Sequence, residues 1–371
     1  MDKKDRLLSL DAFRGFDMMW LMGGFGLFVS VAVQLGFTGL PRYLGHAKWE
    51  GFLFLDTIFP TFLFMAGASF PFSAAKSLER GMTRGQIALR ALRRCLTLMA
   101  LGIVCGEFLK TLDFAHFRIP SVLGYIGFGW MVVKSAKARL AIAIGILTAV
   151  MLVFGFIPAP DAATVVIPMK WAEELGRGVF TPAGNLGCWM ERTLMGSHIL
   201  HPHFFDNEGF AGLFCTVVTA MLGMFAGEIV RAGGLQATGK KALQLLGCAA
   251  VCLVAGLALS CFYPIVKNLW SPSFVLVAAA YAYALFALFY WIIDVKQHRK
   301  WCFFFQVIGM NAITIYVTSI VVSFHAISVF FLGGAAQLLG DWGKPLLNLG
   351  HLMAEWLFLW FLYRKNVFLK V

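Results

Sequence analysis

Apolar residues run in long blocks along this chain, separated by short polar and cationic stretches. The blocks at 10–41, 51–75, 140–159 and 274–293 each approach or exceed the roughly 20 residues that a helix needs to cross a bilayer core. Strand-like alternation is weak, which argues against an outer-membrane barrel. Helices are then the remaining way to satisfy backbone polar groups in lipid. The pattern predicts ten spans, at about 11–36, 52–75, 94–110, 120–133, 140–158, 210–230, 243–263, 273–293, 303–327 and 345–363. The predicted fold is an all-α polytopic membrane protein, one domain over 1–371 built as a bundle of about ten transmembrane helices. The 159–209 segment is too small for a core of its own and is expected to cap the outer mouth of the bundle. The 303–342 stretch is long enough to hide a re-entrant helix, with Gly333–Gly334 as its expected break. GMFAGE at 223–228 contains GxxxG, a close helix-packing device.

Charge sets the orientation. The net charge of +12 could suggest nucleic acid, but the cations sit between apolar spans, which is how membrane topology is written. With the N-terminus inside, the inner connections and Arg14 carry 22 of the 31 Lys and Arg, so both termini are expected in the cytoplasm. The cationic connections then lie against the anionic lipids of the inner leaflet. The basic start, Lys3, Lys4 and Arg6, leads into an apolar run with no small-residue cleavage site after it, so no cleaved signal peptide is expected. The eight cysteines form no CxxC pair and make no case for zinc or a disulfide framework.

Polar residues inside apolar spans are costly, and they are the first candidates for chemistry. Asp11 and Arg14 stand three apart and can pair on one helix face. Asp17 lies on roughly the opposite face from Asp11 and has no local partner in the sequence. His46 and Glu50 precede the second span, and Asp56 is embedded in the apolar run FLFLDTIFP. A carboxylate there needs a proton, a partner or water. His46 and Asp56 are ten residues apart, about 15 Å along a continuous helix, so pairing requires the intervening loop to fold back. A histidine can take a proton from an attacking amine or hydroxyl near neutral pH. His198, His201 and His203 read as a solvated or substrate-facing loop rather than a metal site, and no metal is expected. Asn311 and Glu355 are mid-span polar residues that need partners. For Asn311, helix–helix hydrogen bonding and a cofactor contact both remain open. The 76–94 segment carries six cations. It suits either the anionic leaflet or a phosphorylated cytosolic ligand, since arginine's planar fork matches phosphate. Walker A and Rossmann fingerprints are absent from the sequence, which argues against nucleotide hydrolysis and dinucleotide redox chemistry.

Several segments resemble one family in the same order along most of the chain. RLLSLDAFRGFDMM and GHAKWEGFLFLDTIFPTFLFMAGAS resemble the first helix, histidine loop and second helix of the bacterial relatives of heparan-α-glucosaminide N-acetyltransferase. FRIPSVLGYIG, GNLGCWMER, DNEGFAG with LGMFAGEI, KNLWSPSFVL and GMNAITIYV resemble its later motifs. The match leaves out the large lumenal domain and extra first span of the animal enzyme. Two positions depart from it: MMWLMGGFG has no asparagine, and Glu50 stands where the animal motif has one. The resemblance implies transfer of an acetyl group from cytosolic acetyl-CoA to an amino sugar or glycan on the outer side. His46 would be the base or acetyl carrier, with Asp56 beside it. Arg14, Arg90, Arg93, Arg94 and Asn311 are then candidates for holding the CoA. Asp17, Glu50, Arg118, Arg192 and Glu208 are candidates for the acceptor and the developing oxyanion. The family also implies a homodimer. The competing expectation is an inner-membrane transporter of an amino sugar such as N-acetylglucosamine, since buried carboxylates suit a polar pathway equally well.

Overall fold

The computed structural model describes residues 7–104, 112, 135–167, 176–201, 203–234 and 236–369. Among them the structure is helical, with three isolated β-bridges and no named strand. Among the described residues seven helices are long and apolar enough to cross a membrane, or eight if one bent pair counts as a span, so the chain is a multi-pass membrane protein. The predicted 120–133 span and the far end of 94–110 lie outside the described residues. The chain divides into two compact units.

Unit 1 comprises Met1–Gly45, Ala237–Ala242 and Leu285–Lys370. Its first span is a broken rod: α1 (Leu8–Met19), a π turn (Trp20–Gly24) and α2 (Phe25–Gln34), followed by the short α3 (Leu40–Leu44). The break falls at Met22 and Gly23, where the backbone leaves helical geometry. α11 (Phe303–Met310) crosses α1 where a side chain on Gly309 would strike the Asp11 carbonyl, so the two backbones touch. α11 and α12 (Ala312–Val321) are bent by 71° at Asn311. α13 (Phe324–Leu338) then packs on α14 (Gly343–Arg364). The break expected at Gly333–Gly334 is therefore corrected: both glycines lie inside the unbroken α13. Asn311 supplies the reason for the true break. Its Nδ2 donates to the Val367 carbonyl (3.1 Å), and its Oδ1 accepts from the Thr314 hydroxyl (3.3 Å), so the side chain is held at the bend.

Unit 2 comprises His46–Gln236 and Leu243–Ala284, together with the terminal Val371. Its spine is the pair α4 (Phe54–Glu79) and α8 (Phe210–Arg231), the most extensive helix contact among the described residues. Side chains on Gly223 and Gly227 would strike the Phe64 and Ala68 carbonyls, and one on Gly67 would strike Ala220. The GxxxG of GMFAGE is thus the crossing point of two backbones. α5 (Arg84–Ile103) begins ten residues before the predicted third span. Thr83 caps it, and Arg84, Arg90, Arg93 and Arg94 belong to its own first turns rather than to a loop. It buries Ile87, Ala91, Cys95 and Leu98 on one stripe. α6 (Ala136–Phe156) is capped by Ser135, and its buried Arg139 pairs with Glu228 of α8 over the Phe225 ring. α7 (Leu186–Met195) forms part of the extramembrane segment. α9 (Gly239–Ser260) and α10 (Pro272–Tyr290) follow along the chain.

Candidate functional site

The site begins with how α4 starts. Asp56 is the third residue of that helix, where the first N–H groups have no helical partner and a carboxylate is favoured. Its Oδ2 accepts from the Leu53 N–H (3.1 Å) and from the Ala47 N–H (3.0 Å). The second bond folds the 46–53 loop back over the helix end. That fold brings His46 to Asp56 despite the ten-residue separation: Nδ1 lies 2.8 Å from Oδ1. The Asp56 side chain is 1% exposed, whereas the His46 side chain is 55% exposed. One edge of the imidazole is therefore held by a buried carboxylate while the ring remains open to a substrate.

A second loop completes the cluster. Gly51 N–H donates to the Ile265 carbonyl (2.8 Å), and Glu50 bridges to Val266. Ser271 caps α10 and accepts from the Val266 N–H (3.0 Å), which closes a tight turn over 266–271. That turn presents Lys267, whose Nζ is 3.3 Å from Asp56 Oδ1 and 3.0 Å from His46 Nδ1. Desolvation lowers the Lys267 pKa below its ordinary value, while Asp56 and Glu208 pull it upward. An ammonium has no lone pair and an ionised carboxylate has no proton, so Nδ1 can satisfy only one of them at a time. Asp56 is well supplied with donors, and Lys267 provides the counter-charge that a buried carboxylate needs.

Aromatic packing fixes the loops in place. Trp49 is buried, donates from Nε1 to the Phe180 carbonyl (2.8 Å) and meets Phe205 edge-on. Trp49, Cys188, Phe204, Phe205, Val266 and Leu269 form one core cluster beneath the histidine loop. Across α10's start, Trp270 packs on Phe59 and Phe274 and donates to Thr219 (3.3 Å).

The structure sorts the other candidates. Glu50 is exposed, and its carboxylate lies beside Gly176. Glu208 acts on Lys267 electrostatically, which places it in the cluster's field. Arg192 corrects an expectation. It donates to Asp161 from Nε (3.1 Å) and Nη2 (2.6 Å), and to the carbonyls of Pro182, Phe204 and Ala183. A guanidinium has five N–H donors, and these five bonds use them all, so Arg192 staples the outer segment and has none left for an oxyanion. Arg118 lies outside the described residues. The His201 ring packs at a tilt against Phe205, and His203 holds a left-handed turn at φ 59°, so both shape the same outer segment. On α5, Arg90 donates to the Ser77 hydroxyl (3.3 Å), and Arg93 is exposed. Arg94 is partly buried beside them. Ser77 is 21 residues beyond Asp56 on α4, about 31 Å along the helix, which matches the thickness of a hydrocarbon core. The arginines and the histidine cluster therefore stand at opposite ends of one span.

In unit 1, Arg14 pairs with Asp11 (3.6 Å) and reaches the Gly309 carbonyl (3.5 Å). Asp17 is buried, with Oδ2 lacking a hydrogen-bond partner. Asn311 spends its amide on the α11–α12 break rather than leaving it free.

Lys267 is the residue that sequence reasoning missed. The signal was its position in KNLWSPSFVL: a lone cation between two apolar runs, at the membrane face that also carries His46 in the predicted topology.

No family model matches the chain. Human heparan-alpha-glucosaminide N-acetyltransferase is 26% identical over 358 residues, which cover 84% of this chain and 52% of that protein. The mouse enzyme of the same name is 27% identical over 363 residues, 84% of this chain and 53% of the relative. The chain thus spans about half the length of the curated relatives it matches. The similarity runs through most of this multi-pass chain, so the chain resembles heparan-alpha-glucosaminide N-acetyltransferase over 84% of its own length.

Proposed function

We propose that this protein is a membrane-embedded acetyltransferase that uses cytosolic acetyl-CoA to acetylate an amino sugar or related glycan on the outer side of a bacterial inner membrane. The observation that carries the reading is the 2.8 Å contact between His46 Nδ1 and the buried Asp56 carboxylate. With Nδ1–H donated to Asp56, the lone pair of the exposed ring sits on Nε2, where a substrate can reach it. The acceptor's nitrogen attacks the thioester carbonyl, the C–N bond forms and the C–S bond breaks. Nε2 takes the proton from that nitrogen and returns it to the departing thiolate. A transient acetyl on Nε2 would use the same geometry. Lys267 holds Asp56 ionised and so keeps the imidazole in this tautomer. Arg90, Arg93 and Arg94, at the other end of α4, would receive the CoA phosphates, and Glu50 and Glu208 would attend the acceptor. Ten spans, cytoplasmic termini and a homodimer belong to the same proposal.

The test is calorimetry with acetyl-CoA on detergent-purified protein, followed by transfer of labelled acetyl to glucosamine. Wild type is expected to bind in the micromolar range. An Arg93→Ala/Arg94→Ala variant is expected to bind more weakly. His46→Ala is expected to bind normally and transfer nothing. Folded, monodisperse protein that binds no acetyl-CoA would overturn the reading. Transport of an amino sugar is the second reading, favoured by the two broken spans at Met22–Gly23 and Asn311, since interrupted helices line polar sites in transporters. Uptake of labelled sugar into proteoliposomes without an acyl donor would select it.

A further inference from the structure

Unit 1 holds ionisable groups that acyl transfer does not use. Glu355 is the thirteenth residue of the 22-residue helix α14, about 18 Å from its start and so at mid-span depth. It is 1% exposed, and its Oε2 makes no hydrogen bond. One turn earlier stands His351, with Nε2 3.5 Å from Glu355 Oε1. The His351 ring lies edge-on to that of His325, 6.0 Å between centroids. His325 is exposed at the start of α13. The three side chains thus lead stepwise from a buried carboxyl to an accessible imidazole.

The surroundings hold this row in position. Asn348 donates to the Gly26 carbonyl (2.9 Å) and to Ser30 (3.0 Å), tying α14 to α2. Ser328 donates to the Leu347 carbonyl (2.7 Å), tying α13 to α14. Gly23, at φ 88°, passes so close to His351 that an added Cβ would sit 3.0 Å from Nδ1. The break in the first span therefore makes room for the imidazole. Among the described residues, the ion pairs give Glu355 no partner besides His351. The π turn and α2 carry no ionisable residue, nor does α11, which also packs on α14. α13 contributes His325, and the turn Gly340–Trp342 contributes Asp341. On α14 itself, Lys344, Tyr363 and Arg364 stand toward the ends.

A carboxylate with one unsatisfied oxygen at that depth is costly, while a carboxylic acid is not. We propose that Glu355 holds a proton within the membrane and exchanges it through His351 with His325, so that the three side chains form a proton relay in unit 1. The proton leaves the Glu355 carboxyl for His351 Nε2. The imidazole releases the proton on its other nitrogen, and His325 receives it by ring rotation or across one water. No oxidant, metal or acyl donor takes part, so the relay stands apart from the acetyltransferase reading.

Infrared difference spectroscopy on the full chain in nanodiscs tests this over about pH 5 to 8, where histidines titrate. Wild type is expected to show the C=O stretch of a protonated buried carboxyl, lost in the near-isosteric Glu355→Gln. Exchange of that proton for deuterium is expected to slow severalfold in His351→Gln and in His325→Gln. A carboxyl band unchanged in folded Glu355→Gln would overturn the proposal. So would exchange at the wild-type rate in both histidine variants, and that readout remains usable if Glu355→Gln does not fold.

Discussion

Asp56 gathers two backbone N–H groups, an imidazole and an ammonium around one buried carboxylate. Replacing it with Asn keeps the volume but removes the charge that orients the ring. Asp56→Asn is expected to lower turnover by about 10² to 10⁴ with acetyl-CoA affinity unchanged, measured by kcat and calorimetry side by side. Lys267 sets a pH dependence. Burial lowers its pKa below 10.5 despite the opposing pull of Asp56. The folded chain therefore releases this proton at lower pH than the unfolded chain. Between the lowered value and 10.5 the unfolded state binds more protons, so this group's contribution to stability rises with pH there. Below that window the cost of burying the ammonium is borne in full. For catalysis the sign is opposite, because discharge strips Asp56 of its cation. Activity is expected to fall on an alkaline limb below 10.5, and Lys267→Arg is expected to move that limb upward. A limb unchanged in both Lys267→Arg and Lys267→Met would show that it belongs to another group. His46 and Asp56 were legible as candidates from residue type and setting. Arg192 was legible as a charge but not as a staple, because its partners are mostly carbonyls of a loop with no periodic pattern.

At the scale of elements, the crossing of α4 and α8 depends on having no side chain at Gly223 and Gly227. Gly223→Val forces the helices apart and is expected to cost about 1–3 kcal/mol or more, read as a lowered melting temperature in detergent. A Cβ added at Gly247 on α9 meets nothing within 4 Å, so Gly247→Ala, set beside Gly223→Ala, is the matched control and is expected to leave that temperature unchanged. Trp49→Ala opens the cluster beneath the histidine loop. It is expected to cost about 3–5 kcal/mol and to raise proteolysis within 176–206. The helices themselves were largely visible in the apolar blocks. Their breaks were not. Glycine pairs inside a membrane helix can remain helical, as Gly333–Gly334 do. The break falls at Asn311, whose side chain bonds to a distant carbonyl at Val367 and a nearby hydroxyl, partners that no sequence pattern announces.

For the whole molecule, the proposed orientation puts both termini in the cytoplasm, on the ground of cation placement. A phosphatase reporter that is active only outside the cytoplasm is expected to be silent at either terminus and active when inserted at residue 164. Activity at either end would reverse the assignment. If the orientation holds, the arginines at the α5 end of α4 face the cytosolic donor and His46 faces the acceptor, as transmembrane transfer requires.

Composition and periodicity determined the all-α membrane class, because lipid leaves a backbone few alternatives and apolar runs of span length cannot be hidden elsewhere. Residue chemistry also nominated the histidine, the aspartate and the cationic segment. Tertiary structure decided which of these meet. Asp56 reaches His46 only because a loop returns over a helix end, and Lys267 joins them from 221 residues away in sequence. Contacts of that kind depend on loop closure and side-chain packing, which leave no period in the sequence to read.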